Sequence, residues 1–256
     1  MTVPVVTQRS YTYWNAGLDV GAYWPKYDVP PAAGIDWEVI VHGGWWYKGS
    51  AQDMASYGQR AATKGRACFS LEYRLVPAVR WPANLADIRS GIAWIFNHAA
   101  LFNLNPLRGF MHGASAGGLL STIAALDDGR FKGIITSSGI TDVGISYHDP
   151  NPVAMPNTQN LFGGGTPSSD LAEYSAAQAF HHFRTPPKEA FLVMHAENDT
   201  TVNVNMSDTF VKKLTAAGYA YTYKRYTTAE VGIHNPHYLS TIEGNMELVD
   251  AWIASH

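Results

Sequence analysis

Six short runs rich in β-branched and aromatic residues recur along the chain: IDWEVIVHGG (35–44), RACFSLEYRL (66–75), LRGFMHGAS (107–115), FKGIITSSG (131–139), AFLVMHAEND (190–199) and AYTYKRYT (220–227). Helical patterns near 51–64, 83–98, 116–127, 203–217 and 238–255 stand between and after them. This alternation constrains the fold more than any other feature, because parallel strands need long crossovers and a helix is the usual crossover. It implies βαβ units and a mostly parallel sheet covered by helices on both faces. A chain of 256 residues suits one such domain with a single large core. Sheets of this kind hold their sites beyond the carboxyl ends of the strands, so the residues that follow each run carry the search for chemistry.

One region breaks the rhythm. Ile140 to Pro187 is rich in Pro, Asn and Gly and is longer than an ordinary connection. Such insertions are usually functional covers or linkers, and a short helix near Ser169–Gln178 favours a small cap or lid within the same domain. The pocket then depends on how 140–187 and the first 30 or so residues fold over the site.

Composition excludes several classes. Charged residues make up 15% of the chain and the formal net charge is −3, which offers no surface for neutralising phosphates, so a nucleic-acid partner is not expected. Cys68 is the only cysteine, which rules out an internal disulfide and a cysteine-based metal site; it reads as a small buried hydrophobe. The N-terminal stretch has no basic start followed by an apolar block, and no stretch of about 18 apolar residues occurs, so the expectation is a cytoplasmic protein without a membrane span. The last helical pattern could lie on a partner copy, and a homodimer is one expectation.

The third run leads into HGASAGG (112–118), which puts Ser115 among residues with little or no side chain between a strand and a helix. By composition alone Gly-x-Ser-x-Gly would arise ~0.1 times per chain, so its context must carry the meaning. A sharp strand-to-helix turn lifts a serine hydroxyl clear of the sheet, and bulky neighbours would clash with the backbone there. A serine needs a base to take its proton, and the base is usually a histidine oriented by a carboxylate. Asp199 follows the fifth run, with Glu197 as the substitute acid and a helix N-cap as its bland alternative. His237 and, in reserve, His234 follow the sixth. Their order along the chain, Ser, Asp, His, is that of an α/β-hydrolase. The two histidines are three apart, but no third ligand accompanies them, so no metal is expected. His42-Gly43-Gly44-Trp45 after the first run supplies backbone N–H groups for a developing oxyanion, together with the N–H of Ala116.

The set HGGWW, EYRLVPAVRWPANLADIRSGIAWI, HGASAGG and HAENDTTV resembles the α/β-hydrolase superfamily, within the esterases similar to hormone-sensitive lipase and the allied kynurenine formamidases. The resemblance runs from about Trp37 to the C-terminus. It implies Ser115 as nucleophile, Asp199 as orienting acid, and Gly44, Trp45 and Ala116 as oxyanion donors. HYLSTIEG resembles the formamidase pattern around the base, which favours His237. The chain departs from many of these esterases at Trp45, where they have a third glycine, and at Ala114 and Glu72, where they have aspartate. Trp45 and Trp46 directly follow the oxyanion glycines and are expected to face the pocket and bind substrate.

The resemblance implies a serine hydrolase that cleaves a carboxylic ester or activated amide of a small, aromatic-compatible molecule through an acyl-enzyme, without a cofactor. Two alternatives stand beside it. One is an arylformamidase of the N-formyl-kynurenine type, and the other a non-hydrolytic relative that performs an elimination, cyclisation or transfer.

Overall fold

The computed structural model describes residues 5–14, 17–232, 235, 237 and 243–256. Among these, eight strands form one sheet: β1 (Val5–Trp14), β2 (Leu18–Lys26), β3 (Ile35–Val41), β4 (Ala67–Leu71), β5 (Leu104–Ala114), β6 (Gly133–Ser137), β7 (Ala190–Ala196) and β8 (Tyr221–Tyr226). Their spatial order is β1-β2-β4-β3-β5-β6-β7-β8. From β4 to β8 every neighbouring pair is parallel. All residues of β4, β6 and β7 are buried, as expected of strands covered on both faces.

The covering helices are α1 (Ala55–Thr63), α2 (Ala83–Asn97), α3 (Ala116–Asp128), α7 (Asn205–Ala216) and α9 (Glu243–Ser255), with the single turn α8 (Thr228–Val231) between the last two. Strand side chains alternate between faces, and the core divides accordingly. Ile40 of β3 and Cys68 of β4 pack with Met54, Tyr57 and Ala61 on the α1 side. Val39, Val41, Phe69 and Leu71 pack with Leu85, Ile88, Leu119 and Phe210 from α2, α3 and α7. Farther along the sheet, Phe110, Ile135 and Leu192 bury against Val249, Trp252 and Ile253 of α9. None of the described helices is long and apolar enough to cross a membrane.

The N-terminal residues differ from the sequence expectation. Among the described residues, Val5–Trp14 and Leu18–Lys26 do not fold over the site: β1 and β2 pair antiparallel and add two strands at the β4 edge. Period-two alternation explains this, since Leu18, Val20 and Ala22 all turn inward, and Tyr11 and Trp24 meet Phe102 edge-on at 5.9 and 5.0 Å.

Residues 140–187 form α4 (Val143–Tyr147), α5 (Ala154–Leu161) and α6 (Leu171–Ala176), the last within the helix expected near 169–178. The segment ties itself to two neighbouring loops. Trp81 N–H donates to the Leu161 carbonyl at 2.8 Å, and the Asn151 amide donates to the carbonyls of Thr200 and Thr201 at 2.8 and 3.0 Å.

Candidate active site

Ser115 sits between β5 and α3 with φ 53° and ψ −125°, a conformation that a non-glycine residue holds only when its surroundings enforce it. Three backbone hydrogen bonds do so. Ser115 N–H donates to the Ser137 carbonyl at 3.0 Å, while its own carbonyl accepts from Gly118 and Ile140, both at 2.9 Å. The flanking glycines are required by space. A Cβ on Gly113 would lie 2.0 Å from Ser121 Oγ and 2.4 Å from the Gly117 carbonyl oxygen; one on Gly117 would lie 2.3 Å from the Val41 oxygen. Contacts this short have no side-chain solution, so strand β3, strand β5 and helix α3 approach only through glycine.

A buried polar chain supports the same turn from below. Ser137 Oγ donates to His112 Nε2 at 2.8 Å, His112 Nδ1–H donates to the Tyr57 hydroxyl at 3.1 Å, and that hydroxyl donates to Glu38 at 2.5 Å. Arg66 then joins Glu38 to Asp250, at 3.1 and 2.7 Å. Burial and the Arg66 charge push His112 down to about 3, so it is neutral and can accept and donate at once.

The His-Gly-Gly loop lies against the serine: a Cβ on Gly43 would be 2.8 Å from Ser115 Cβ. Beyond it Trp45 and Trp46 take left-handed φ values of 51° and 61°, and the Gly44 carbonyl accepts from Tyr47 and Lys48 at 3.1 and 3.2 Å, which closes a tight reversal. His42 Nδ1 donates to the Gly43 carbonyl at 2.7 Å, and its ring stacks on Tyr73 at 4.3 Å. Burial pushes the His42 pKa down, against the bond to Gly43 and the charge of Asp53. Among the described residues nothing accepts a hydrogen bond from the backbone N–H groups of Gly43, Gly44, Trp45 or Ala116.

The two tryptophans part company. Trp45 lines the cavity beside Ser115, but Trp46 does not: it is fully buried and its indole donates to the Ala116 carbonyl at 3.0 Å. The expectation that Trp46 binds substrate is therefore corrected. The reversed backbone turns its ring inward, where it braces the first turn of α3.

Asp199 follows β7 and is buried. Its Oδ1 accepts from the N–H groups of Thr201 and Val202 at 2.8 and 3.1 Å, and its Oδ2 accepts from His237 Nδ1 at 2.9 Å. Burial alone would raise this carboxyl, but the hydrogen bonds and charge of His195 and His237 outweigh it and hold the group well below the usual carboxylate range. It caps no helix, since α7 starts only at Asn205. Glu197 is directed elsewhere, to Thr228 N–H at 2.8 Å and Arg225 at 3.0 Å. His237 is buried on the wall of the same cavity as Ser115, and its backbone N–H donates to Asn235 Oδ1 at 3.0 Å. His234 lies outside the described residues.

The cavity has a volume of about 410 Å³ and is walled by Ser115, His237, Trp45, Lys48, Asp53 and Thr201 among others, with no lining residue from 140–187. Sequence reading passed over one residue of this site. His195 lies fully buried in β7 with Nε2 3.4 Å from Asp199 Oδ2. The available signal was a histidine inside an otherwise apolar run, AFLVMHA.

The profile of the family described as BD-FAE matches residues 28–214. The chain belongs to the BD-FAE family. That match spans β3 to most of α7, and so takes in the His-Gly-Gly loop, Ser115 and Asp199. Curated relatives include the probable carboxylic ester hydrolase LipM of Mycobacterium tuberculosis, 26% identical over 68% of this chain and 43% of its own length. Esterase LipC of the same organism is 32% identical over 54% of this chain and 35% of its own. The chain thus spans less than half the length of these relatives. Among solved structures, esterase B from Lactobacillus rhamnosis superposes with a TM-score of 0.82 at 18% identity, covering 98% of this chain and 88% of that one. A truncated carbohydrate esterase from gut microbiota superposes at 0.79 with 20% identity, over 96% and 95% of the two chains. At these identities the superpositions establish the shared α/β-hydrolase fold.

Proposed function

We propose that this BD-FAE protein hydrolyses a carboxylic ester of a small molecule through an acyl-enzyme on Ser115. The observation that carries the reading is the hydrogen bond from His237 to Asp199 on the wall of a cavity that also holds Ser115, beside backbone N–H groups that have no acceptor among the described residues. The names of the curated esterase relatives support the reaction class.

Ser115 Oγ attacks the ester carbonyl while His237 Nε2 takes its proton, and Asp199 holds the imidazole with Nδ1–H toward itself and stabilises the cation that forms. The oxyanion accepts from the N–H groups of Gly44, Trp45 and Ala116, with Gly43 beside them; donors already in place need no reorganisation as charge develops. His237 then gives its proton to the departing alcohol. Water, deprotonated by the same nitrogen, attacks the acyl group and releases the carboxylic acid, which restores Ser115. A cavity of about 410 Å³ suits a compact acyl or alcohol group. Trp45 on its wall favours a second reading, an N-formyl aromatic amine as substrate.

The test is a burst assay with p-nitrophenyl acetate and butyrate, run beside Ser115→Ala with intact-mass detection. Turnover that Ser115→Ala abolishes, with an acyl adduct on Ser115, is the expected result. Absence of both turnover and adduct would overturn the ester reading, and selective turnover of N-formyl-kynurenine would then favour the formamide.

A further inference from the structure

Asp199 Oδ2 is approached by two histidines, and the proposed reaction uses only one of them. The other, His195, is fully buried in β7. Its Nε2 lies 2.9 Å from the Val202 carbonyl oxygen and 3.4 Å from Asp199 Oδ2. Both oxygens are acceptors only, so Nε2 must carry a proton. Its Nδ1 lies 2.7 Å from Ser207 Oγ, a hydroxyl free to rotate and donate. The protons therefore run in one direction: Ser207 O–H to His195 Nδ1, and His195 Nε2–H to Val202 and Asp199.

We infer that His195 is a positioning residue for the acid, holding the Asp199 carboxylate so that Oδ2 meets His237 Nδ1 and sharing the charge that Oδ2 presents to it. The inference rests on the reading of Asp199 and His237 as acid and base. Its geometric basis is that His195 binds both ends of the loop it faces. It joins strand β7 to the Val202 backbone, whose own N–H donates to Asp199 Oδ1, and to helix α7 through Ser207. The carboxylate is thereby clamped on both oxygens before any substrate arrives. A hydrophobic residue in place of His195 would fill the space, but it would leave the Val202 carbonyl and Asp199 Oδ2 each short of a donor.

Other charged and titratable groups surround this pair and stay unchanged in the test. His42, Lys48 and Asp53 share the cavity wall with His237. Asp149, in the 140–187 segment, accepts from Asn203 N–H at 3.3 Å. Asp208 of α7 pairs with Tyr223 and Arg225, and Arg225 with Glu197, on the outer side.

The test measures kcat and kcat/KM for a p-nitrophenyl ester across pH 5 to 9 in the wild type, His195→Leu and His195→Gln. In His195→Leu the expected result is a fall in kcat of about 10- to 100-fold with KM changed by less than about threefold. The acid limb should also move up by about half a pH unit, because Asp199, relieved of one donor, holds the proton on His237 more strongly. Glutamine can place an N–H near the position of Nε2, and should recover most of both effects. An acid limb unmoved in His195→Leu reduces the residue to packing and overturns the proposal, whether or not kcat falls. If the leucine variant does not fold, Ser207→Ala takes its place, with a smaller shift of the same sign because His195 loses the bond that strengthens its Nε2–H as a donor. The tautomer is read independently from the imidazole nitrogen shifts of the wild type: protonation at Nε2 is expected, and a neutral ring protonated at Nδ1 overturns the proposal. Asp199→Asn separates the two readings. If it keeps full kcat, the acid assignment itself has failed, whatever His195 does.

Discussion

The turn that carries the proposed nucleophile, Ser115, and the loop that carries the proposed acid, Asp199, stand two strands apart on one sheet, at the ends of β5 and β7, and they are held by different means. At Ser115 the backbone does the holding: three main-chain hydrogen bonds and two glycines whose Cβ positions are filled by neighbouring atoms. At Asp199 side chains do it, since the carboxylate draws two loop N–H groups and two histidines around itself. The first arrangement tolerates almost no change of volume, and its main-chain hydrogen bonds do not depend on where side-chain protons sit. The second has room for isosteric change but depends on which atom carries each proton.

Three measurements test this contrast. The largest effect is expected at the acid loop, where Asp199→Asn keeps the shape and alters the protons. It should lower kcat by about 10³- to 10⁴-fold and change the unfolding free energy far less, since the amide disrupts the His237 tautomer. A loss under tenfold would place the acid elsewhere. At the nucleophile turn the contrast predicts the reverse sensitivity. Gly117→Ala puts a methyl 2.3 Å from the Val41 carbonyl oxygen and 2.5 Å from that of His42. It should destabilise the protein by about 3 kcal/mol in urea unfolding, because backbone atoms cannot step aside as a side chain can. An unhindered Gly→Ala change in a helix is neutral or stabilising by up to about 1 kcal/mol, so a cost under about 1 kcal/mol would mean that β3 and α3 yield.

The smallest effect concerns the polar chain beneath the turn. His112 is held down at about 3 by burial and by Arg66, against about 6.5 in the unfolded chain. Because the folded value is the lower one, the unfolded chain binds the extra proton first. Stability is full above about pH 6.5 and declines as pH falls toward 3, by about 2 kcal/mol at pH 5. Thermal unfolding of His112→Gln should show a flatter decline between pH 7 and 5 than the wild type; parallel curves would show that His112 protonates without cost.

These differences also explain what could be read from the chain. The Ser115 turn was legible because its requirement is local: small residues at set offsets between a strand and a helix follow from sterics within one segment. The proposed acid and base were legible only as order along the chain. Which oxygen meets which nitrogen depends on residues 38 apart, and a helix cap stood beside the acid role as the bland alternative for Asp199. Trp46 was misread because two successive left-handed residues reverse the chain, and no propensity anticipates them.

The sequence by itself determined the alternating strands and helices, hence the parallel sheet, and the glycine-framed serine at a strand end, because period and steric clash act over a few residues. The tertiary structure was needed to show that Val5–Trp14 and Leu18–Lys26 join the sheet as an antiparallel pair rather than cover the site, that Trp46 braces α3 while Trp45 faces the cavity, and that His195 stands behind Asp199. The reason is that a buried polar group must find a partner wherever the fold brings one within about 3 Å, and distance along the chain carries no record of that encounter.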